Sequence, residues 1–372
     1  MQTRGIHLQY SFESRGQRGP EVENPLFDLL NRLQEHGSIR HAATAMGASY
    51  RHVWGSLKHW EEVMGEPLVQ WSQGQAARLT PFAQRLLAAE RQARTRMTPH
   101  IEALRAELEH VLAQALDGAQ LVLEVFASHD PGLPLLRELA QQQHQLHVGL
   151  RFAGSVDALR ALAHGRCTVA GFHVPALPDG SPVFSAALKP LLKPGLHKLI
   201  GCLRRQQGLM LRPTGAIERR LSLTDLPGSG LRFVNRQPGS ATRLLMDHLL
   251  QAAGVDAASI DGYAARPEDS HLAVAAAIAG GQADVGPGIE AAACEFNLDF
   301  IPLVEEDYFL VCLKDALDSA PVRALRTVLE SPAWPQALQA LPGYAAPDAG
   351  RVLSLTKALP WWHFRTPKGQ AA

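Results

Sequence analysis

Three turns between a predicted strand and a predicted helix carry hydroxyl side chains whose chemistry suits an anion. The residues of these turns are Ser128, His129, Ser155, Gly239, Ser240, Ala241 and Thr242. Each turn would place a hydroxyl and free backbone N–H groups at a helix N-terminus, which carries partial positive charge. Ser and Thr in front of helices are usually ordinary N-caps, so each turn alone is weak evidence. Together, the three turns predict a site for a small anion.

Two charged or titratable side chains near these turns have roles that the sequence leaves open. Arg236 precedes the third turn, where its charge would either hold an anion or be solvated. His129 would be either a titrating ligand contact or a structural histidine.

The four cysteines are far apart and form no CxxC pair, which favours buried, reduced thiols over a disulfide framework or a zinc site. We therefore predict no metal and no cofactor.

A second group of residues has the types and spacing that read double-stranded DNA. Residues 38–65 are typical of a helix, a glycine-containing turn and a longer helix, the order of a helix-turn-helix. Helical geometry turns Val53 and Leu57 to the core and the recognition side chains away from it. The predicted DNA contacts are Ser49, Tyr50, Arg51, Trp54, Lys58 and Arg78. Because helix pairs around a glycine are common, an ordinary helical hairpin remains the alternative.

Local signals predict the elements around this helix pair. A strand is predicted from the alternation at 6–12, and helices follow at 25–37, 38–47 and 49–65. Residues 67–79 predict a two-stranded wing with a turn at 73–75, and a long helix runs from Pro81 to about Leu116. An apolar stripe on the second half of this long helix predicts that it pairs two subunits; it comprises Ile101, Leu104, Leu108, Val111 and Leu112.

The pattern changes at residue 120 to strands that alternate with helices, which predicts parallel βαβ units. Ligands bind beyond the carboxyl ends of such strands, where the hydroxyl-bearing turns would lie. The proline-rich stretch 175–194 predicts a crossing between two sub-domains. A helix is predicted from 268 to 279, and strands at 301–304 and 308–313 are expected to return to the first lobe. The remaining predicted strands are 121–126, 147–152, 167–172, 198–203, 231–235 and 283–285.

The totals bound the class of protein. The chain has 372 residues, 46% hydrophobic and 19% charged, with no net charge, which is typical of two or three folded domains. Between residues 38 and 100, eight Lys or Arg face four Glu, a basic block that suits a polyanion. No secretion signal and no apolar run of membrane-spanning length is present, so we expect a cytoplasmic protein without a membrane partner.

The run "GSIRHAATAMGASYRHVWGSLKHWEEVMGEPLV…ARLTPFAQRLL", within 25–88, resembles the DNA-binding domain of LysR-type regulators. It is still more similar to the N-terminal domain of molybdate-responsive ModE-type regulators, whose recognition helix begins with a Ser-Tyr-basic run. The resemblance implies a winged helix-turn-helix that binds operator DNA. It also implies a homodimer or tetramer joined through the long helix.

Four stretches within 121–347 resemble the periplasmic-binding-protein-like domains found with molybdate and molybdopterin-related proteins. They are "SHDPGL", "GSVDALRALAHGRCTVAGFHVP", "FVNRQPGSATRLLMDHLL" and "SHLAVAAAIAGGQADVGPGIEAAA". The resemblance implies two lobes joined by a hinge, with a small anionic effector between them. Molybdate or tungstate is the effector that it favours.

The predicted fold class is α/β: an N-terminal winged helix-turn-helix with a long linker helix, then a two-lobed periplasmic-binding-protein-like domain. The expected segments are an extension (1–22), the DNA-binding domain (23–80), the linker helix (81–118), the sensing domain (119–356) and a tail (357–372).

Enzyme motifs are missing from the sequence: it has no GxSxG elbow, no HExxH and no Walker A loop. We therefore predict a ligand-responsive transcription regulator and no enzyme. The alternative is a cytosolic oxyanion-storage or molybdenum-cofactor-related protein that binds no specific DNA.

Overall fold

The computed structural model describes residues 24–70, 76–116, 121–177, 182–213, 221–265 and 267–362. The chain divides into two compact units, Met1–Glu90 and Arg91–Ala372. Four predicted features lie outside the described residues: the strand at 6–12, the turn at 73–75, the end of the long helix at 117–118 and the last part of the tail. No described helix is long and apolar enough to cross a membrane.

The first unit is a three-helix arrangement with a two-stranded wing, as predicted. Its elements are α1 (Pro25–His36), α2 (Ile39–Ala45), α3 (Tyr50–Met64), β1 (Val69–Gln70), β2 (Arg78–Leu79) and the start of α4 (Pro81–Leu116). Asn24 caps α1 by accepting a hydrogen bond from the backbone N–H of Leu26 at 3.0 Å. Gly37 and Gly65 end α1 and α3 in the left-handed conformation, which glycine adopts without strain. Leu30, Leu57 and Leu68 are fully buried in its core.

The second unit is a two-lobed α/β domain. Its elements after α4 are β3 (Leu121–Ala127), α5 (Gly132–His144), β4 (Leu146–Phe152), α6 (Ser155–Ala163), β5 (Val169–Pro175), α7 (Pro182–Leu188), β6 (His197–Leu211), β7 (Asn235–Arg236), α8 (Ala241–Ala252), β8 (Pro267–Glu268), α9 (His271–Ala279), β9 (Val285–Ile289), α10 (Glu290–Glu295), β10 (Asp299–Leu313), α11 (Ala320–Glu330), α12 (Ala333–Leu338), β11 (Tyr344–Ala345), β12 (Val352–Leu353) and α13 (Leu355–Ala358).

Two long antiparallel strands, β6 and β10, join the two lobes. The main sheet has the order β11-β6-β10-β5-β3-β4, with β3 parallel to both β4 and β5. The end of β10 pairs with β5 in the first lobe, which confirms the predicted return, whereas the end of β6 pairs with β9 in the second. Residues 204–207 and 304–307 thus form the hinge between the lobes.

Three sequence predictions about this unit were wrong. The proline-rich stretch 175–194 does not supply the crossing between lobes, because α7 lies within it and buries Phe184 and Leu188 in the first lobe's core. The predicted strands at 301–304 and 308–313 are one continuous strand, since both halves pair with β6. The helix predicted from 268 begins at His271, where Ser270 caps it, and Glu268 belongs to a short strand.

The cysteines also differ in part from the prediction. Cys167, Cys202 and Cys312 are buried free thiols, and burial raises the pKa of Cys167 and of Cys312 to about 11. Cys294 at the end of α10 is exposed, because that helix turns only its alanines into the core.

Candidate functional site

The first lobe contributes a hydrogen-bonded chain at the carboxyl ends of its parallel strands. Ser128, directly after β3, bonds through Oγ to Nδ1 of His173 at 2.9 Å. The other ring nitrogen of His173 lies 3.3 Å from Oδ2 of Asp130, which is fully buried. The sequence prediction included Ser128 but neither of the two partners that fix its orientation.

The hinge places a buried arginine between two carboxylates. Arg205 donates to Asp130 at 2.8 Å and, through two nitrogens, to Oε2 of Glu306 at 2.8 and 3.0 Å. Burial opposes the charge on Asp130, but the hydrogen bond from His173 and the charge of Arg205 hold the pKa of Asp130 at about 2. All three charged side chains are at most 3% exposed. Arg205 therefore ties a first-lobe loop to the hinge strands.

A glutamine extends this network into the second lobe. Gln207 donates to Oε2 of Glu306 at 2.9 Å and to Oγ1 of Thr242, in the first turn of α8, at 3.1 Å. The network therefore runs from Ser128 through the hinge to Thr242. We call the region between the two lobes beside these residues the cleft. The sequence placed both Ser128 and Thr242 at the site, but through separate turns.

The third predicted turn opens α8 with an ordinary cap. Ser240 Oγ accepts a hydrogen bond from the backbone N–H of Arg243, as an N-cap does. Gly239 has a φ of 84°, which lets the chain turn into the helix, and Ala241 is the first helical residue. The first helical N–H groups have no intrahelical acceptor, so the start of α8 retains its anion-binding potential.

Arg236 and His271 complete the second-lobe side. The Arg236 guanidinium donates a hydrogen bond to the backbone oxygen of Asp269 at 2.7 Å. Burial and the nearby charge of Arg205 lower the pKa of Arg236 to about 10. Burial and the charges of Arg236 and Arg205 also lower the pKa of His271, so this histidine is neutral. Because the charge of Arg205 disfavours the charge on Arg236, an anion beside Arg236 would stabilise its guanidinium.

Four polar atoms of this region are buried and have no hydrogen-bond partner within the described part of the chain. They are Ser155 Oγ, Arg236 Nε, His271 Nδ1 and Glu306 Oε1. Ser155 is the first residue of α6 and His271 the first of α9, so two of the atoms lie at helix N-termini. Buried polar groups are nearly always paired in proteins, and four exceptions in one region point to a ligand.

The structure brings three of the eight predicted ligand residues, Ser128, His129 and Ser155, to this edge of the sheet, whereas the other five belong to the second lobe. Ser128 and Ser155 follow neighbouring strands, whose last residues, Ala127 and Phe152, are in register. The ring of His129 packs on Phe152 with centroids 4.8 Å apart. The sequence reasoning missed His173, Arg205, Glu306 and His271. Charged residues inside otherwise apolar strands, as in "LIGCLRRQQGLML" and "PLVEEDYFLVCL", were the signal available for two of them.

Helix α4 contacts the second lobe beside Arg236. Arg96 donates to both carboxylate oxygens of Glu268, at 2.8 and 3.0 Å, and Gln92 donates to the same carboxylate at 3.2 Å. Glu268 is 4% exposed, and its strand pairs with the strand of Arg236, residue against residue. The linker helix is thus joined to the strand pair that carries a cleft residue.

Helix α3 presents the predicted DNA-reading side chains. Ser49 caps the helix by accepting from the backbone N–H of His52, and Arg51 and Lys58 are exposed, as is Arg78 on β2. Lys58 also bonds Glu61 at 2.7 Å, and Glu61 accepts from the backbone N–H of Leu68 at the start of the wing. Lys58 therefore has a structural partner besides any phosphate.

The predicted orientation of Trp54 needs correction. Trp54 does not point wholly away from the core, because part of its side chain packs against the buried residues of the first unit. The other part of its ring stacks on Tyr50, with centroids 6.4 Å apart. Lys58 Nζ lies 5.0 Å from the centroid of the Trp54 ring. Tyr50 itself is 52% exposed, and a Cβ added to Gly55 would meet no described residue within 4 Å. The exposed face of α3 is therefore narrower than predicted.

Comparisons with known proteins agree with this architecture. Residues 136–330 match the PBP superfamily domain, and residues 26–84 match the bacterial regulatory helix-turn-helix of the lysR family. The uncharacterized protein YvgK of Bacillus subtilis is 31% identical over 204 residues, 55% of this chain and 64% of that protein. This chain thus spans just under two thirds of that relative's length.

A protein from Clostridium pasteurianum, uncharacterized and encoded 5′ to a 2Fe-2S ferredoxin gene, is 36% identical over 112 residues, 30% of this chain and 98% of that protein. Among solved structures, a cysteine-to-serine mutant of OxyR from Corynebacterium glutamicum, bound to H2O2, aligns over 86% of this chain and 96% of its own with 15% identity and a TM-score of 0.42. The LysR-type and periplasmic-binding-protein-like predictions are confirmed, whereas the ModE-type and molybdate-type resemblances remain predictions. The chain belongs to the PBP superfamily and carries, in the sequence before that domain, a helix-turn-helix of the lysR family.

Proposed function

We propose that this protein is a transcription regulator that binds double-stranded DNA through α3 and changes its DNA affinity when a small anion binds in the cleft. The observation that carries the proposal is the group of four buried polar atoms, above all Arg236 Nε, that have no hydrogen-bond partner in the described parts of the chain. A guanidinium held near a second arginine, beside helix N-termini, is stabilised when an anion pairs with it.

The binding groups come from both lobes, which suits a switch. Ser155 belongs to the first lobe, whereas Arg236 and Thr242 belong to the second. An anion that contacts both sides favours the arrangement of the lobes in which both can reach it. The shift in DNA affinity is limited to the difference between the anion's affinities for the two arrangements.

A continuous contact leads from the cleft to the linker helix. Arg236 lies opposite Glu268 in the register of the parallel strands β7 and β8. The Glu268 side chain accepts hydrogen bonds from Arg96 and Gln92 of α4. A movement of Arg236 onto an anion would displace the strand that carries Glu268. We infer that this strand pair transmits effector binding to α4.

Exposed leucine and valine side chains on α4 favour a homodimer, of which a tetramer would be a further assembly. Leu104 is 52% exposed and Val111 57% exposed on the stripe predicted to pair two subunits. Replacing both with Glu should give monomers in sedimentation velocity. Leu196→Glu, at an apolar side chain that is 45% exposed outside α4, should leave the dimer intact. A double variant that remains dimeric would place the interface elsewhere.

Molybdate and tungstate are the first anions to test, because the sequence resembles molybdate-type domains. Thermal shift of the full-length protein with molybdate, tungstate, sulfate, phosphate, formate and small carboxylates tests the effector. Selection of bound duplexes from a random library, followed by gel shift over a salt series, tests DNA binding. Anion binding without sequence-selective DNA binding would favour an oxyanion-storage protein. DNA binding without any anion effect would reject the sensor.

A further inference from the structure

Glu306 gives the cleft a hydrogen-bond acceptor that a bare anion cannot satisfy. Its Oε2 accepts hydrogen bonds from Arg205 and Gln207, whereas its Oε1 is buried without a partner among the described residues. Paired with a guanidinium, Glu306 is a carboxylate, and Oε1 can only accept. A ligand that fills the space beside Oε1 must therefore bring a donor.

Ser128 is a second acceptor, because its proton is already used. Asp130 is ionised and can only accept, so Nε2 of His173, 3.3 Å away, carries the ring proton. Burial and the charge of Arg205 lower the pKa of His173, which keeps the ring neutral and leaves a lone pair on Nδ1. The Ser128 hydroxyl therefore donates to Nδ1, and its oxygen offers only lone pairs to the cleft.

The donors of the cleft lie on the opposite lobe. Arg236 Nε is a buried donor without a partner among the described residues, and Thr242 Oγ1 accepts from Gln207, which leaves the threonine proton to donate. The start of α8 adds backbone N–H groups. The cleft therefore has an acceptor side, formed by Glu306 and Ser128, and a donor side, formed by Arg236, Thr242 and α8.

We propose that the effector is an anion that also carries an O–H or N–H donor, and that Glu306 selects for that donor. This inference rests on the proposed function and narrows it. The class includes hydrogen phosphate and 2-hydroxy acids. Molybdate, tungstate and sulfate carry no proton at neutral pH, so an oxygen of theirs placed beside Glu306 would meet a carboxylate with no hydrogen between them. A buried charge left unpaired in this way opposes binding.

Calorimetric titration of the full-length protein with matched anions tests the inference. Phosphate and sulfate share a tetrahedral shape and differ in the proton, and glycolate and acetate differ in one hydroxyl. At pH 7 and constant ionic strength, we expect the donor-bearing member of at least one pair to bind about tenfold or more tightly than its partner, and more tightly than molybdate or tungstate.

Three variants identify the side chain that reads the donor. The side-chain amide of Glu306→Gln both donates and accepts. This variant should reduce the preference for phosphate over sulfate to about threefold or less, because it binds sulfate more tightly. Glu305→Gln, the neighbouring residue with a side chain 48% exposed, should leave the preference unchanged. If Glu306→Gln does not fold, as judged by circular dichroism, Ser128→Ala is used instead. It should also reduce the preference for the donor-bearing anion over its matched partner.

The outcomes separate this inference from the proposed function. Equal or tighter binding of sulfate, molybdate or tungstate by the unaltered protein would overturn the donor requirement and leave an anion-responsive regulator. A preference that persists in Glu306→Gln, or in Ser128→Ala where that variant is used, would remove the acceptor side as its source. If no anion of the panel binds, the anion effector itself fails, and this inference fails with it.

Discussion

Helix α3 and the cleft place charged side chains in opposite environments. On α3, Arg51, Tyr50 and Lys58 stand at the surface, where each side chain is solvated by water. In the cleft, Asp130, Arg205 and Glu306 are almost completely buried and satisfy one another's charges. Surface charges can be replaced with little effect on folding, whereas buried ones cannot. A substitution on the exposed face of α3 should therefore change DNA binding without changing stability, whereas a substitution of a buried charge in the cleft should change both ligand binding and stability.

The largest expected effect is on stability, at Arg205. Arg205→Ala leaves two buried carboxylates without their cation and should lower the free energy of unfolding by about 3–5 kcal/mol. Arg204→Ala is the matched control, since that side chain is 35% exposed and pairs with Asp307 at the surface. The control should cost about 0–1 kcal/mol. Urea denaturation followed by circular dichroism measures both; equal losses would contradict the contrast between buried and exposed charge.

A smaller effect is expected at Arg236, where the cleft is predicted to hold the anion. Arg236→Gln removes a charge-assisted hydrogen bond and should weaken phosphate binding by about 1.5–3 kcal/mol. Arg243→Gln, in α8 and paired with Asp247 at 3.0 Å, removes the same charge without touching the unpartnered atoms. Calorimetry should show near-normal phosphate affinity for Arg243→Gln. Similar losses of phosphate affinity in both variants would mean that the overall positive charge of the second lobe, and not a contact with Arg236, attracts the anion.

On the recognition helix, the expected loss is in DNA affinity alone. Arg51→Ala should weaken binding to a selected duplex by about 1–3 kcal/mol if Arg51 reads a base. Its unfolding free energy should change by less than about 0.5 kcal/mol, because the side chain is exposed. Arg32→Ala on α1 is the control for charge, since Arg32 pairs with Glu35 at the surface. Fluorescence anisotropy measures the affinities; unchanged binding in Arg51→Ala removes Arg51 from the interface.

The same contrast explains what the sequence could predict. The helices of the first unit were predicted from caps and glycines that act within a few residues, such as Asn24 and Gly65. Ser128 and Thr242 were predicted because they follow a strand–turn–helix pattern. Arg205 and Glu306 were missed because their meeting depends on the pairing of β6 with β10, about 100 residues apart. Local patterns do not encode such long-range pairing.

The wrong prediction for residues 175–194 has the same origin. Prolines indicated a connection between lobes, but α7 packs Phe184 and Leu188 into the first lobe, and the crossing is made by two continuous strands. Trp54 was misplaced because helical periodicity assigns faces without regard to side-chain length. A long aromatic ring on the edge of a face still reaches the core.

The proposed coupling of anion binding in the cleft to DNA binding connects these two regions of the protein. Its most direct test is the affinity of the full-length protein for a selected duplex with and without saturating phosphate, and for phosphate with and without that duplex. Ionic strength must be held constant, because DNA affinity falls with salt. We predict that both affinities change by the same factor, between about 5 and 150, and that Arg236→Gln abolishes the change. If the protein binds both phosphate and duplex and neither affinity responds to the other ligand, the cleft does not control DNA binding.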